Sequence, residues 1–304
     1  MRIRNRVLIG CATVAVGVAA TLVAACGGST SEKTSPAGVA GVAGVAKAQL
    51  TSEPATIKAG EPAKLTFTVK EASGAVVKNL AVVHEKTLHL LVVSKDLADF
   101  SHIHPEANAD GSLSVTHTFA SGGSYLLYAD YKPEGGKATV DTIPVTVDGP
   151  QRAPEALVAD TSFVKSVDGI TVTMRPDGAL KPGSPAMLTF DVKDTASGKP
   201  VTNLEKYLGE YAHFVLISQD GSEFLHAHPM SGDMDGKTDS QPGGMDHGAM
   251  NHGGSHGNTN DMAVSPSQVM AHTEFPKAGL YKVWAQFQRA GKVITVPFVL
   301  QIGA

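Results

Sequence analysis

Histidine carries the chemistry this chain repeats. His89, twelve residues, then His102-Ile103-His104-Pro105 stand in the first half; His213, twelve residues, then His226-Ala227-His228-Pro229 stand in the second. Neutral imidazole is a ligand for copper, zinc and nickel alike. Three imidazoles at one spacing, written twice, are what a metal site leaves when it is duplicated with its scaffold. The competing reading is a set of hydrogen-bonded histidines at a strand end. For a lone histidine that reading is the better one; for a duplicated triplet the metal is.

The elements that must position these rings are hairpins. Phe214 to Leu225 reads as an apolar strand, the pair Asp220-Gly221 and a second strand. Asp-Gly is a strong two-residue turn signal, both turn positions being expected at positive φ. The register follows: Ile217 faces Phe224, Val215 faces His226 and His213 faces His228. Residues two apart on a strand share a face, so the three rings converge. The first copy has the same separation about Asp96-Leu97, placing His89 opposite His104 with His102 diagonal, though without the Asp-Gly pair. Pro105 and Pro229 follow the last histidine of each set and put it at a strand end. Each copy is thus expected to hold its own three-histidine site. A fourth ligand could come from His117 or His272, but aligning Phe119 with Phe275 sets His272 against Thr116, one residue off His117. For those two a structural role is the better reading. His84 has no counterpart, since Leu208 occupies its place.

The scaffold is itself a repeat. Gly60-x-Pro62-x-x-Leu65-Thr66-Phe67-x-Val69-Lys70 returns as Gly183-x-Pro185-x-x-Leu188-Thr189-Phe190-x-Val192-Lys193, and Phe119-(x)5-Tyr125 as Phe275-(x)5-Tyr281. Short alternating segments punctuated by Gly, Pro, Asn and Asp predict an all-β chain of two tandem antiparallel β-sandwich domains, immunoglobulin-like or cupredoxin-like. The expected boundaries are 48–148 and 161–304, joined by 149–160. Tyr128, Tyr131, Trp284 and Phe287 occupy equivalent positions and are expected to pack inside the sandwiches.

Arg2, Arg4 and Arg6 precede an apolar small-residue run from Val7 to Ala25, the layout of a signal peptide over 1–25. Val23-Ala24-Ala25-Cys26 fits the pattern before a lipidated cysteine, so Cys26 is predicted to carry the acyl anchor and 26–47 to be a flexible tether. Cys11 and Cys26 are the two cysteines. With one removed and one acylated, no disulfide remains, nor a thiolate for a blue-copper centre. Attachment to the membrane then rests on lipid, at the outer face of the plasma membrane or in the periplasm. A net charge of −4 without a basic patch argues against nucleic acid.

The second copy carries an insertion, 230–264, holding Met230, Met234, Met245, His247, Met250, His252, His256 and Met262. Five of the chain's nine methionines lie there among Gly, Asp, Asn and Ser, so no core explains them. Thioether selects Cu(I), while imidazole accepts Cu(I) and Cu(II); zinc, the alternative cargo, would recruit histidine and carboxylate without methionine.

His89-Leu-Leu-Val-Val-Ser94 with Phe100-Ser-His102-Ile-His104-Pro105, and Gly209 to Ser218 with Phe224-Leu-His226-Ala-His228-Pro229, resemble exported bacterial proteins of the copper and heavy-metal resistance type. The stretch Met245-Asp-His-Gly-Ala-Met-Asn-His252 is similar to the Met/His-rich tracts of periplasmic copper-resistance proteins. The resemblance implies metal handling in the cell envelope. The leading expectation is a lipid-anchored, non-catalytic copper protein that sequesters, buffers or delivers the metal, with a copper-transport or copper-enzyme partner. Two other classes compete: a copper redox enzyme, because His-x-His on a sandwich resembles copper/zinc superoxide dismutases, and a metal-free interaction module of the envelope. No Ser-His-Asp set, phosphate loop or nucleotide motif stands out in the sequence.

Overall fold

The computed structural model describes residues 46–178, 180–227, 229 and 267–303. The signal segment, Cys26, most of the tether, His228 and the Met/His insertion from Met230 to Met262 lie outside the described residues.

Among the described residues every regular element is a strand. The first repeat supplies β1 (Lys47–Glu53), β2 (Pro62–Lys70), β3 (Leu88–Ser94), β4 (Phe100–Ile103), β5 (Glu106–Ala107), β6 (Leu113–Thr118), β7 (Gly123–Tyr131) and β8 (Thr139–Val147). The second supplies β9 (Val164–Val167), β10 (Ile170–Asp177), β11 (Pro185–Asp194), β12 (His213–Ser218), β13 (Phe224–Ala227), β14 (Gln268–Glu274), β15 (Gly279–Arg289) and β16 (Lys292–Ile302). All these strands pair antiparallel. Each lobe is a sandwich of two four-stranded sheets: β1-β2-β6-β5 with β4-β3-β7-β8, and β9-β10-β11-β14 with β13-β12-β15-β16.

The alternation seen in the sequence fills both sandwich cores. Leu65, Phe67 and Val69 meet Leu88, Leu90, Val92, Leu127 and Ala129 in the first lobe; Leu188, Phe190 and Val192 meet Phe214, Leu216, Val283 and Ala285 in the second. Each core is closed by a tyrosine whose hydroxyl donates to a backbone carbonyl four residues upstream, Tyr125 to Ser121 at 3.0 Å and Tyr281 to Lys277 at 3.2 Å. This is the tyrosine-corner device of immunoglobulin-like sandwiches.

The two lobes belong to one compact unit, Ala43–Ala304, and the residues between their sandwiches explain why. Every residue of β3 and every residue of β12 is buried, because each strand is covered on both faces. One face fills its own sandwich; the other presents Leu91 and Val93, or Val215 and Ile217, to a third core that also takes Leu97, Tyr128 and Trp284. The β4-β3-β7-β8 and β13-β12-β15-β16 sheets are therefore the inner layers of a four-layer stack. Two aromatic stacks cross the seam reciprocally: Phe100 on Trp284 at 4.5 Å, and Phe224 on Tyr128 at 5.0 Å. Phe100 matches Phe224 and Tyr128 matches Trp284 in the repeat, so a pseudo-twofold relates the halves of the interface, as in an isologous dimer. This corrects one expectation. Tyr131 and Phe287 pack within their sandwiches, but Tyr128 and Trp284, of opposite strand parity, pack between them.

The hairpin register is as the turn arithmetic predicts: Val215 pairs with His226 and Ile217 with Phe224, Leu91 with His102 and Val93 with Phe100. The turn chemistry differs. Only Gly221 of the Asp-Gly pair has positive φ, 74°, and its counterpart is Leu97 at 61°. What the copies share is Ser-x-Asp. The Ser218 hydroxyl donates to Asp220 Oδ1 at 2.7 Å and accepts from the Glu223 amide at 2.9 Å. Ser94 does the same with Asp96 at 2.7 Å and the Asp99 amide at 2.8 Å. These local bonds set the turn without glycine, and the left-handed Leu97 buries its side chain in the seam, 1% exposed.

Truncating Trp284, 3% exposed and stacked on Phe100, should lower unfolding free energy by about 3–5 kcal/mol. Val164→Ala, at a half-exposed position, should stay within about 0.5 kcal/mol of the parent. Urea titration followed by far-ultraviolet circular dichroism compares the two; equal small losses would mean that the seam contributes little.

Candidate metal centre

The apolar seam gives way to histidine at one end. His89 lies on the seam face of β3 with Leu91 and Val93, and His213 on the seam face of β12 with Val215 and Ile217. From the neighbouring strands β4 and β13, His102 and His226 point the same way, and His104 follows β4. The sequence led us to expect two sites, one per copy; among the described residues His89, His102 and His104 instead face His213 and His226 across the seam in one cluster, and His228 lies outside the described residues. Ring centroids lie 5.3 Å apart for His89 and His102, 5.0 Å for His89 and His104, and 4.8 Å for His102 and His104. Across the seam His226 is 5.3 Å from His89 and 5.4 Å from His102, and His213 is 6.3 Å from His102 and 5.9 Å from His226. His89, His102 and His226 offer ligand nitrogens all within 4.8 Å of one another. That trio draws on both copies.

Acceptors on the far side of each ring fix its tautomer. His89 Nε2 bonds the Val83 carbonyl at 3.0 Å and His213 Nε2 the Tyr207 carbonyl at 2.7 Å. A carbonyl only accepts, so in both rings Nε2 carries the proton and Nδ1 keeps its lone pair. His102 Nδ1 bonds Gln286 Oε1 at 2.7 Å, and His226 Nδ1 bonds the Asp130 carboxylate at 3.1 Å, leaving Nε2 as the lone-pair atom of each. Asp130 pairs with His89 on β7 and Gln286 with His213 on β15, so each lobe orients a histidine of the other. Such outer contacts are how proteins set metal-binding imidazoles.

The donor set fits a cation. His89 Nδ1 and His102 Nε2 lie 3.1 Å apart. With both protons committed elsewhere, that approach sets lone pair against lone pair unless a shared proton or metal ion lies between. Two nitrogens bound to one ion at ordinary lengths are about 2.9–3.4 Å apart. His104 Nε2 is buried without a hydrogen-bond partner. His89, His213 and His226 are 3%, 0% and 4% exposed, which excludes a role as ordinary surface histidines. Burial, helped by neighbouring rings, pushes His89 and His213 down to about 4 and His104 to about 3, and holds His102 well below the usual range. These imidazoles are neutral at neutral pH, the form that binds metal. Burial also pushes the Asp130 carboxyl up to about 7.

His117 and His272 stand apart. Both lie on outer sheets, His117 pairing with Ala63 on β2 and His272 with Met187 on β11, because the chain crosses to the other sheet of the sandwich after β4 and β13. His117 packs edge-on against Phe119 at 4.7 Å, and His272 is exposed on the opposite face of its strand. Neither is a fourth ligand. The residues that sequence reasoning missed are Asp130, Gln286 and His84, the last with its ring 5.8 Å from His213 and 6.4 Å from His89. Asp130 and Gln286 were legible in principle: they lie two residues beyond Tyr128 and Trp284, on the same strand face.

Fold and site define a tandem β-sandwich protein with a histidine cluster sealed between its lobes. The chain belongs to the family described as a domain of unknown function, DUF8832, which matches residues 42–149 and 165–304. No curated protein matches it. Solved structures it is similar to include the Escherichia coli adhesin FdeC, at 17% identity and TM-score 0.26, over 84% of this chain and 64% of that one. A Salmonella alpha-2-macroglobulin mutant matches at 10% and 0.26, over 87% and 15%. Invasin, a bacterial integrin-binding protein, matches at 11% and 0.21, over 84% and 39%. The chain spans less than two thirds of each, and TM-scores this low leave function to the chain's own residues.

An imidazole whose folded pKa lies below its ordinary 6.5 takes up a proton on unfolding, so its contribution is whole above that pH and is lost as pH falls toward 4. Asp130, raised from 3.8 to about 7, acts in the opposite direction, one group against His89, His102, His104 and His213. Metal-free protein should therefore lose stability steadily between pH about 7 and 4. Urea midpoints across that range measure it, with a shallower fall expected for His213→Phe; a flat profile in the parent would contradict the neutral buried cluster.

Proposed function

We propose that this protein binds one copper ion between its two β-sandwiches, outside the cytoplasmic membrane, and serves to sequester, buffer or pass on that metal. The observation that carries the reading is the reciprocal orientation of the rings. Val83, Tyr207, Gln286 and Asp130 each occupy the outward nitrogen of one histidine, which turns four inward lone pairs toward a common seam. The copper preference rests on the methionines that the sequence places just beyond His228, since imidazole alone would serve zinc equally. Anchoring through Cys26 and a copper-transport or copper-enzyme partner in the envelope complete the proposal. It is one of binding, not turnover; an oxidase or superoxide assay on copper-loaded protein separates it from a dismutase-like enzyme.

A second reading draws on the same bonds. His102 to Gln286 and His226 to Asp130 join the lobes directly, so the cluster could serve as polar cement in a metal-free interaction module of the cell envelope. Copper titration of the soluble chain, with the 230–264 insertion deleted and followed by the emission of Trp284, the sole tryptophan, decides between them. Copper binding predicts saturation near one ion per chain, loss of that ion in His102→Ala with His226→Ala, and a melting temperature raised by metal. Unchanged melting with copper and zinc would favour the interaction module.

Asp130→Ala tests the outer contact. It should weaken copper binding by about 10–100-fold, and Asp130→Asn, which keeps an acceptor for His226 Nδ1 as Gln286 does for His102, should recover most of that loss. Isothermal titration reads both variants.

A further inference from the structure

The pseudo-twofold that relates the two halves of the cluster fails in the turns that precede its strands. Each histidine-bearing strand is preceded by a two-residue reverse turn: Val83 and Lys86 exchange both backbone hydrogen bonds, at 2.8 and 3.1 Å, around His84 and Glu85, and Tyr207 and Glu210 do so at 2.7 and 3.2 Å around Leu208 and Gly209. All four central residues have positive φ, 47° and 64° in the first turn, 54° and 84° in the second, which makes both turns type I′. The carbonyl that closes each turn is the one that holds His89 or His213. Turn and ligand are therefore positioned together.

At the first central position the copies diverge. The second has Leu208, 6% exposed. The first has His84, half-buried, with its ring edge-on to His213 at 5.8 Å and to His89 at 6.4 Å. It reaches across the seam to a ring of the other lobe while keeping one side toward solvent, whereas the rings behind it are 3% and 0% exposed. The two turns lie side by side, Glu85 reaching to within 4 Å of the Gly209 position, and of the pair one carries a leucine and the other an imidazole.

We infer that His84 is the docking ligand of the centre, the group that takes a copper-class cation from solvent and passes it to the sealed rings behind. This rests on the metal-binding reading above. An ion shedding water needs a replacement ligand before it reaches an interior as closed as that of His89 and His213. His84 supplies that ligand on a turn held by its own hydrogen bonds. Among the central residues of the two turns it is the one with an imidazole, the donor of the rings behind it. Histidine also tolerates left-handed backbone better than most residues, so its place in this turn costs little.

The test compares wild type with His84→Leu, the residue the other copy carries, and with His84→Asn, which suits positive φ and keeps the turn if leucine does not. All are made in the full chain, and circular dichroism and melting confirm the fold. Copper is delivered as its glycine complex, and quenching of Trp284 emission is followed by stopped flow beside an equilibrium titration. Loading is expected to slow by about tenfold or more in both variants, while the saturating stoichiometry stays near that of wild type. The converse variant, Leu208→His, should load faster than wild type. Wild-type loading rates in both His84 variants would overturn the inference. So would loss of equilibrium binding in both, which would make His84 a ligand of the resident ion. Failure of wild type to bind copper at all would remove the parent reading, and this inference with it.

Discussion

Two sheets that each need cover on both faces are the constraint from which the rest follows. The strand sequences Leu88-His-Leu-Leu-Val-Val-Ser94 and His213-Phe-Val-Leu-Ile-Ser218 are apolar at consecutive positions, not alternate ones. One parity of residues is consumed by the sandwich core. The other would be exposed in an isolated lobe, and an exposed patch of Leu, Val, Ile and Trp is a liability to a soluble domain. Packing the two inner sheets together removes that surface from water. The reciprocal Phe100–Trp284 and Phe224–Tyr128 stacks give the packing a single register.

The register determines where the polar residues go. With the apolar halves of β3 and β12 fixed against each other, the histidines of the same strand faces are carried into the seam. A buried polar group costs about 1–3 kcal/mol or more if left unsatisfied, and the fold meets most of that by exchange: a carboxylate from one lobe and an amide from the other each take a partner's ring. Backbone carbonyls of the preceding turns take the remaining outward nitrogens. Among the described residues no strand-to-strand hydrogen bonding joins the lobes. Shape and side chains therefore hold the seam, and its histidine end is where an ion would add cohesion between the lobes.

Much of this was written locally and could be read locally. The repeat, the β class and the hairpin registers depend on contacts a few residues apart, and turn arithmetic placed His226 opposite Val215 and His102 opposite Leu91. It did so even for Asp96-Leu97, where the expected glycine is missing and Ser94 with Asp96 makes the turn. What could not be read from spacing was the relation between copies. Two triplets at equal spacing fit two separate sites or one shared site equally well, since the difference lies in how two surfaces meet. A clue was nonetheless present: an uninterrupted apolar run argues for burial on both sides, and no second layer within one sandwich could provide it. His117 and His272 misled for a similar reason. Sequence order suggested the next strand of the same sheet, and the chain instead crosses to the outer one.

Departures from symmetry show what duplication alone does not explain. A doubled domain that merely needed an interface could have kept it symmetric, since matching halves give self-complementary contacts. Here the pseudo-twofold is kept in the apolar stacks and in the turn carbonyls, and broken at Asp130 against Gln286 and at His84 against Leu208. The first substitution sets a carboxylate behind one ring and a neutral amide behind the equivalent ring, so the two orienting contacts differ in charge while sharing geometry. Burial holds that carboxyl near 7, and a cation bound to the ring in front of it would favour its ionised form, as opposite charges do. The second substitution sets an imidazole on one turn where the neighbouring turn has a leucine. Both changes fall at the polar end of the seam, where packing demands least of them and a bound ion would feel them most.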